Sequence, residues 1–515
     1  MLDRIPRFIC CSCLYVLGLV VVAQPALAAG PSASMSPLVR LGPQETLANV
    51  PSGAAGPNYG LFGCQVGLST GQCYDPYQMR HAYQIDSVIN AGYTGAGHTI
   101  VIVDAYQSPN IVQQLNFYDG FYGLPGLNGL GNPPDPTLGS FTQVAPDGLT
   151  PFVSGDPNMT GWAEEISLDV LWSHAIAPGA NIVLVLAKSN QDADILSAVK
   201  HAVDNNLGEI ISMSFGENES CVDPDILSAY HDTFASATSK NITLFASSAD
   251  QGAALNTCDG TSWVRAVSSP ASDPLVTSVG GTELRAADYC LTVLGCNPGT
   301  HPLPGTYLSE IVWNEGPPFG DFQGFFAATE ATGGGFSVLF DEPPYQKSTI
   351  HGGKQRAVPD VAYNAAILHG VLTYLNIPGV PPGFYRFGGT SAGSPQWAAI
   401  TAIANQKAGG ALGFLNSAIY QIGRVNKAYP ASFNDVTQGT NSSGEFDTSN
   451  NLVTITGFNA GPGWDPTTGF GSPIDTSLVD YLIRYVSPGD GQAAISTTKP
   501  KPHPKPIVPG SMDPH

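Results

Sequence analysis

Three short stretches place chemically competent side chains where a reaction would use them. Phe387–Pro395 reads FGGTSAGSP. Its two glycines permit a tight turn with the backbone close to a ligand. Ser391 follows Thr390, and Pro395 falls in the first turn of an apolar helix predicted to run to about Gln406. A small-flanked serine there faces the positive end of the helix dipole, which suits a nucleophile; the same pattern also serves an N-capping serine. A serine nucleophile needs a base, and none of the 10 histidines lies in an H-G-T-H-like setting. A carboxylate pair stands out instead. In GWAEEISLDVLWSHAIAPGA, Glu165 and Asp169 are four residues apart, hence on one face of a helix. Two acids at that spacing repel when both are ionised, so one tends to keep a proton and can exchange it with a hydroxyl. A solvated acidic face gives the same spacing, but Ile166, Leu168, Val170, Leu171 and Trp172 make this helix otherwise apolar. The third stretch is LFASSADQG, where Asp250 directly follows an apolar run. Its alternatives are an active-site group at a strand end or an Asx-turn residue.

The surrounding pattern supplies elements to position these groups. His98–Asp104, Asn181–Leu186, Glu209–Ser214, Ile242–Ala246 and Leu275–Val279 are short apolar runs. They alternate with helical stretches at Trp162–Ile176, Asp192–Asn205 and Asp225–Ser239. Such alternation predicts an α/β fold with a mostly parallel central sheet, helices on both faces and an active site at the carboxyl ends of the strands. Residues 1–28 read as a signal peptide, with Arg4 and Arg7 before an apolar run and Ala26-Leu27-Ala28 at its end. Residues 29–67 read as a short leader rich in Gly and Pro, 68–487 as the main domain, and 488–515 as a Pro-rich basic tail without fixed structure. Export makes disulfides the expected use of cysteine. Of the fifteen connectivities that six remaining cysteines allow, the close pairs favour Cys64–Cys73 and Cys290–Cys296, which leaves Cys221–Cys258.

Composition narrows the function. The chain has 515 residues, with 20 Lys and Arg against 41 Asp and Glu, a net charge of −21. An acidic surface argues against a general nucleic-acid binder, and a hydrophobic share of 43% is too high for a disordered chain. Beyond the first apolar run, no segment suits a bilayer span. The expectations are therefore a secreted protein, extracellular or periplasmic, monomeric, with no membrane association after signal cleavage.

The motifs in order resemble the sedolisin family, the serine-carboxyl peptidases of subtilisin-like fold. The resemblance covers roughly Tyr74 to Tyr485. It rests on Glu165-x-x-Leu168-Asp169, ISMSFG at 211–216, SADQG at 248–252, VGGT at 279–282 and GGGFS at 333–337. PDVA at 359–362, GTSAGSP at 389–395, NDVT at 434–437 and GPGWDPTTGFG at 461–471 complete it. It implies that Ser391 is the nucleophile, Glu165 its general base and then acid, Asp169 the holder of Glu165 and sharer of its proton. It implies further that Asp250, protonated, donates to the oxyanion beside a backbone N–H near Ser391. Neutral carboxyls as donors and a carboxyl as base fit peptide hydrolysis with an acid optimum. The resemblance also implies one structural calcium ion, with carboxylates from Asp435 and Asp465 and carbonyls from Val436, Gly461 and Gly463. Protein or peptide substrates follow.

The chain departs from the family's pattern in three places. About forty residues between signal and catalytic domain are too few for the long folded pro-segment usual in the family. Ala249 stands where the family usually has Gly, and Gly393 and Ser394 vary the small residues after the nucleophile. Asp104 follows the first strand, near where an ordinary subtilisin carries its triad acid; without a matching histidine it reads as structural or as part of the substrate cleft. The competing readings are a catalytically silent relative that binds peptides, an exopeptidase releasing di- or tripeptides, and a glycoside hydrolase. The last would need its two carboxylates across a sugar rather than along one helix.

Overall fold

The computed structural model describes residues 34–48, 60–318, 328–350, 354–487 and 489–501. The predicted signal peptide and residues 502–515 of the predicted tail lie outside them. Among the described residues no helix is long and apolar enough to cross a membrane.

The β-branched run Thr99–Ala105 forms the middle of an eight-stranded sheet. On one side it pairs in parallel with Asn181–Ala187, and that strand with Phe141–Val144. On the other side follow Ile210–Met213, Thr243–Ser247 and Thr277–Ala286, all parallel. The last and longest strand carries two partners on its far edge: Val361–Asn364 in parallel and Tyr307–Val312 antiparallel. Ile100, Val101, Ile102 and Val103 are fully buried, as expected for a strand covered on both faces. Every apolar run named from the sequence lies in this sheet, with ends shifted by a few residues.

Two helices carry the candidate chemistry. Pro157–Ile176 begins at Asp156, whose carboxylate accepts from the N–H groups of Asn158 and Met159, with Pro157 in the first turn. Glu165 and every residue from there to Ile176 are buried, so this part of the helix has no solvated face. Gly393–Ala408 is buried as far as Asn405. Its start is pressed against the sheet. A Cβ on Gly393 would lie 2.7 Å from Val279 Cγ1 and 3.0 Å from Tyr363 Cβ. Ser394 Oγ shares a hydrogen bond with Ser212 Oγ at 2.8 Å. The variations at 393 and 394 thus meet a close approach and a buried polar partner.

The boundaries drawn from composition need correction at both ends. Residues 34–48, taken with the leader, belong to the fold. Ser36–Pro37 pairs antiparallel with Phe215–Gly216, and Arg40–Glu45 pairs with the Phe384–Gly388 stretch. Met35 and Leu38 are buried. A Gly/Pro-rich composition hid them because their stability comes from backbone pairing to distant strands rather than from a local pattern. At the other end, Asp490–Thr497 is helical. His231 Nε2 lies 2.7 Å from Thr498 O, and Lys501 N donates to Leu339 O at 2.7 Å. The disulfides are the three expected: Cys64–Cys73, Cys221–Cys258 and Cys290–Cys296.

Candidate active site

The sheet and the two helices bring Ser391, Glu165, Asp169 and Asp250 to one place, all fully buried. Ser391 lies in a short turn, Thr390–Ala392, directly before the Gly393 helix. Its Oγ donates to Glu165 Oε2 at 2.8 Å and approaches Ser214 O at 3.3 Å. Asp169 lies one turn further along the Glu165 helix, where its Oδ1 accepts from Ser214 Oγ at 3.0 Å. Glu165 Oε1 and Asp169 Oδ2 are left without a donor from hydroxyl or amide, while the two carboxyls interact with each other. A proton shared between the two carboxyls satisfies both oxygens. Among the described residues no histidine hydrogen-bonds to Ser391.

Burial sets the charge state. It raises the Glu165 pKa well above the carboxylate range, with Asp169 and then Asp104 adding like-charge repulsion. Burial likewise lifts Asp169 to about 8, against hydrogen bonds from Ser214 and Glu165 that favour its ionised form. Two charges ~5 Å apart at an effective dielectric of ~20 repel by about 3 kcal/mol. That alone exceeds two pKa units, so the pair retains a proton at neutral pH.

Asp104 joins this cluster. It ends the central strand, is fully buried, and neither carboxylate oxygen has a donor. Burial and then Asp169 raise its pKa well above the usual value. Of the two sequence readings, structural or part of the substrate cleft, its place beside the pair leaves both standing, and its surroundings push it toward the protonated form. Its position at a strand end was the available signal, and the absence of a histidine partner drew attention away from it.

Asp250 faces the turn from the opposite side. Its Oδ1 accepts from Thr390 N at 2.8 Å and Thr390 Oγ1 at 2.7 Å, while Oδ2 has no hydrogen-bond donor. Arg40 Nε lies 3.6 Å from that Oδ2. Burial raises the Asp250 pKa to about 6, opposed by Arg40 and by the Thr390 hydrogen bonds. The preceding Ala249 has φ +102°, a backbone region costly for any residue with a Cβ. Gly at this position would remove that strain.

The calcium candidates converge in part. Both Asp435 carboxylate oxygens accept from Gly463 N, and Asp465 Oδ2 accepts from Gly461 N at 3.1 Å. Two carboxylates thus meet one glycine-rich loop, and among the described residues no Lys or Arg forms an ion pair with either. Val436 follows Asp435 and is buried. Asp465 Oδ1 also accepts from Thr467 N, Thr467 Oγ1 and Thr468 N. Two carboxylates beside one loop are the oxygen donors a hard cation takes, so in donor type these residues fit calcium. The cysteines cannot compete for a metal, since each of the six is in a disulfide.

A parallel sheet, a serine before a buried helix and a carboxyl pair in place of histidine define a subtilisin-like architecture with a serine-carboxyl arrangement at its strand ends. The model of the subtilase family matches residues 153–422, and the chain belongs to that family, in its sedolisin group. Kumamolisin of Bacillus sp. (strain MN-32) is 32% identical over 433 residues, covering 80% of this chain and 64% of kumamolisin. Sedolisin of Pseudomonas sp. (strain 101) is 31% identical over 319 residues, 60% of this chain and 47% of sedolisin. Tripeptidyl-peptidase 1 of Mus musculus is 29% identical over 344 residues, covering 62% and 52% respectively. The chain spans less than two thirds of the length of these relatives. The solved structure of Pseudomonas sedolisin, a serine-carboxyl proteinase complexed with two molecules of pseudo-iodotyrostatin, superposes with a TM-score of 0.62 at 25% identity. That match covers 81% of this chain and 100% of the other.

The buried acids make stability depend on pH in a definite direction. An acid whose folded pKa is raised favours the folded state while protonated, and that advantage disappears as pH rises through the folded value. Asp250 at about 6 and Asp169 and Asp475 at about 8 place the loss between the unfolded value near 4 and about 8. The melting temperature is expected to be at least ~5 °C lower at pH 8 than at pH 4. A higher melting temperature at pH 8 would contradict the assignment of these groups as neutral.

Proposed function

We propose that the protein is a secreted endopeptidase that hydrolyses peptide bonds in acid through an acyl-enzyme on Ser391. The observation that carries this reading is the Ser391 Oγ to Glu165 Oε2 hydrogen bond inside a buried carboxyl cluster. In the first step Ser391 Oγ attacks the substrate carbonyl carbon while Glu165 takes the hydroxyl proton, supported by the proton on Asp169. Negative charge develops on the carbonyl oxygen. Ser391 N–H and a neutral Asp250 supply donors there, and preorganised donors in a dry site are worth several kcal/mol. Glu165 then returns its proton to the leaving amine. Water repeats the sequence on the ester and regenerates Ser391.

The neutral form of Asp250 exists below its pKa of about 6, which supports action in acid. Three disulfides support export. The carboxylates of Asp435 and Asp465, with carbonyls of Val436, Gly461 and Gly463, would hold a structural calcium ion. When bound it ties the 461–471 loop to the 434–437 segment, and Phe470 N already donates to Asp360 O next to the Val361–Asn364 strand.

Assayed on denatured protein between pH 3 and 5, Ser391→Ala is expected to lose at least ~1,000-fold in kcat. Unchanged activity would remove Ser391 from the mechanism. A calcium chelator is expected to lower the melting temperature by several degrees, as loss of a bound ion does by mass action, and Asp465→Asn should abolish that difference. A melt indifferent to chelator would exclude a structural ion.

A further inference from the structure

The helix that carries Glu165 ends on an arginine the mechanism does not use. Arg80 Nε donates to Ala175 O at 2.6 Å, satisfying one of the carbonyls that a helix C-terminus leaves open. Arg80 is 7% exposed. This is its side chain's only hydrogen bond among the described residues, and Nη2 is buried without a partner. Among the described residues no carboxylate is ion-paired with it, whereas Arg40, Arg356 and Arg386 pair with Glu330, Asp360 and Glu45. The acids nearby in sequence are engaged elsewhere. Asp75 accepts from Gln65 Nε2, Tyr289 Oη and the N–H groups of Tyr77 and Gln78. Asp86 Oδ2 lies 2.8 Å from His81 Nδ1. Burial lowers the Arg80 pKa, while Arg356, beside its carboxylate, is raised. The fold thus buries one positive charge and leaves it uncompensated, which is costly until a counter-charge arrives.

Capping the helix occupies Nε and leaves the two terminal nitrogens of the guanidinium unused. Arg80 lines a cavity of about 420 Å³ with Tyr77, Ile89, Tyr289 and Leu303. Its Cζ lies 5.6 Å from the centre of the Tyr77 ring. Tyr77 donates its hydroxyl proton to Tyr122 O and Tyr289 donates its own to Asp75, so neither has a proton left for a ligand. No lysine or second arginine lines the cavity, and Asp86 in its wall is tied to His81. A single guanidinium fork matches a planar carboxylate, which it holds by two parallel hydrogen bonds. A doubly charged phosphate would find one cation here and a carboxylate beside it. The cavity is separate from the reactive serine, since Glu165 lies ten residues back from Ala175, ~15 Å along the helix.

We propose that this cavity binds a monocarboxylate with an apolar or aromatic body, its carboxylate on the Arg80 fork and its body against Tyr77, Tyr289 and Leu303. The ligand supplies the counter-charge that the chain itself withholds, next to the C-terminal end of the Glu165 helix. Occupancy therefore stabilises the folded chain by mass action. The site is independent of the peptidase reading and stands or falls without it.

The test is a calorimetric titration of the full chain near pH 6 with phenylacetate, its neutral counterpart phenylacetamide, and inorganic phosphate. Two variants are titrated beside the wild type. Arg80→Met keeps a long side chain and removes the charge. Leu303→Trp fills the cavity from an exposed position, outside the core. Phenylacetate is expected to bind the wild type, and to bind each variant at least ~10-fold more weakly, the scale of one charge-assisted hydrogen bond. Phenylacetamide should bind the wild type at least ~10-fold more weakly than phenylacetate, for the same reason. Should Arg80→Met fail to fold, the amide and Leu303→Trp give the same comparison. Absence of saturable phenylacetate binding overturns the proposal, as does equal binding of the amide or binding that the variants leave unchanged. Phosphate bound as tightly as phenylacetate overturns the assignment to a monocarboxylate.

Discussion

The burial of three carboxyl groups together governs this molecule. Asp104 near the end of the central strand, and Glu165 and Asp169 one turn apart on the buried helix, are buried together, and among the described residues no Lys or Arg is ion-paired with any of them. Ionising all three there would cost more than the fold can spare, since whole-domain stability is typically about 5–15 kcal/mol. The cluster must hold protons, and a cluster that holds protons can pass them. Ser391 is placed to use that property, with its hydroxyl on the one Glu165 oxygen not directed at Asp169. Histidine is unnecessary to this arrangement, since a carboxyl group that has given up its proton can accept the one on Ser391.

Around this constraint the other parts take their positions. The parallel sheet delivers Asp104 and, through the stretch after Thr243–Ser247, Asp250 to the same edge. The Gly393 helix can approach that edge only because it starts with glycine, and Gly389 keeps the space in front of the serine narrow and free of side chain. The strain at Ala249 falls beside Asp250, where a rigid scaffold can hold an unfavourable backbone. The N-terminal strands close the remaining opening, so the protonated acids are shielded from water by the protein's own chain.

The sheet, its order of alternation and the four reactive side chains were legible because each has a local signature. Strands of this sheet are continuous apolar runs, and Glu165 and Asp169 carry the helical spacing. Ser391 carries a glycine-rich turn before a helix. Asp104 was visible as a strand-end acid but its role depends on Asp169, 65 positions away, which no local pattern encodes. The place of residues 35–45 was the least legible. Their composition resembles a linker, and what orders them is hydrogen bonding to Phe215–Gly216 and Phe384–Gly388, far along the sequence. Pairing of that kind leaves no periodicity to read.

The central claim is that neutral carboxyl groups, and no histidine, run the chemistry. The most direct measurement is kcat/KM against pH for hydrolysis of a peptide substrate. The account predicts a maximum below about pH 6, where Asp250 keeps its proton, and a decline above it as that donor is lost. A profile that rises through about pH 7 to a plateau near pH 9, as a histidine base produces, would contradict it.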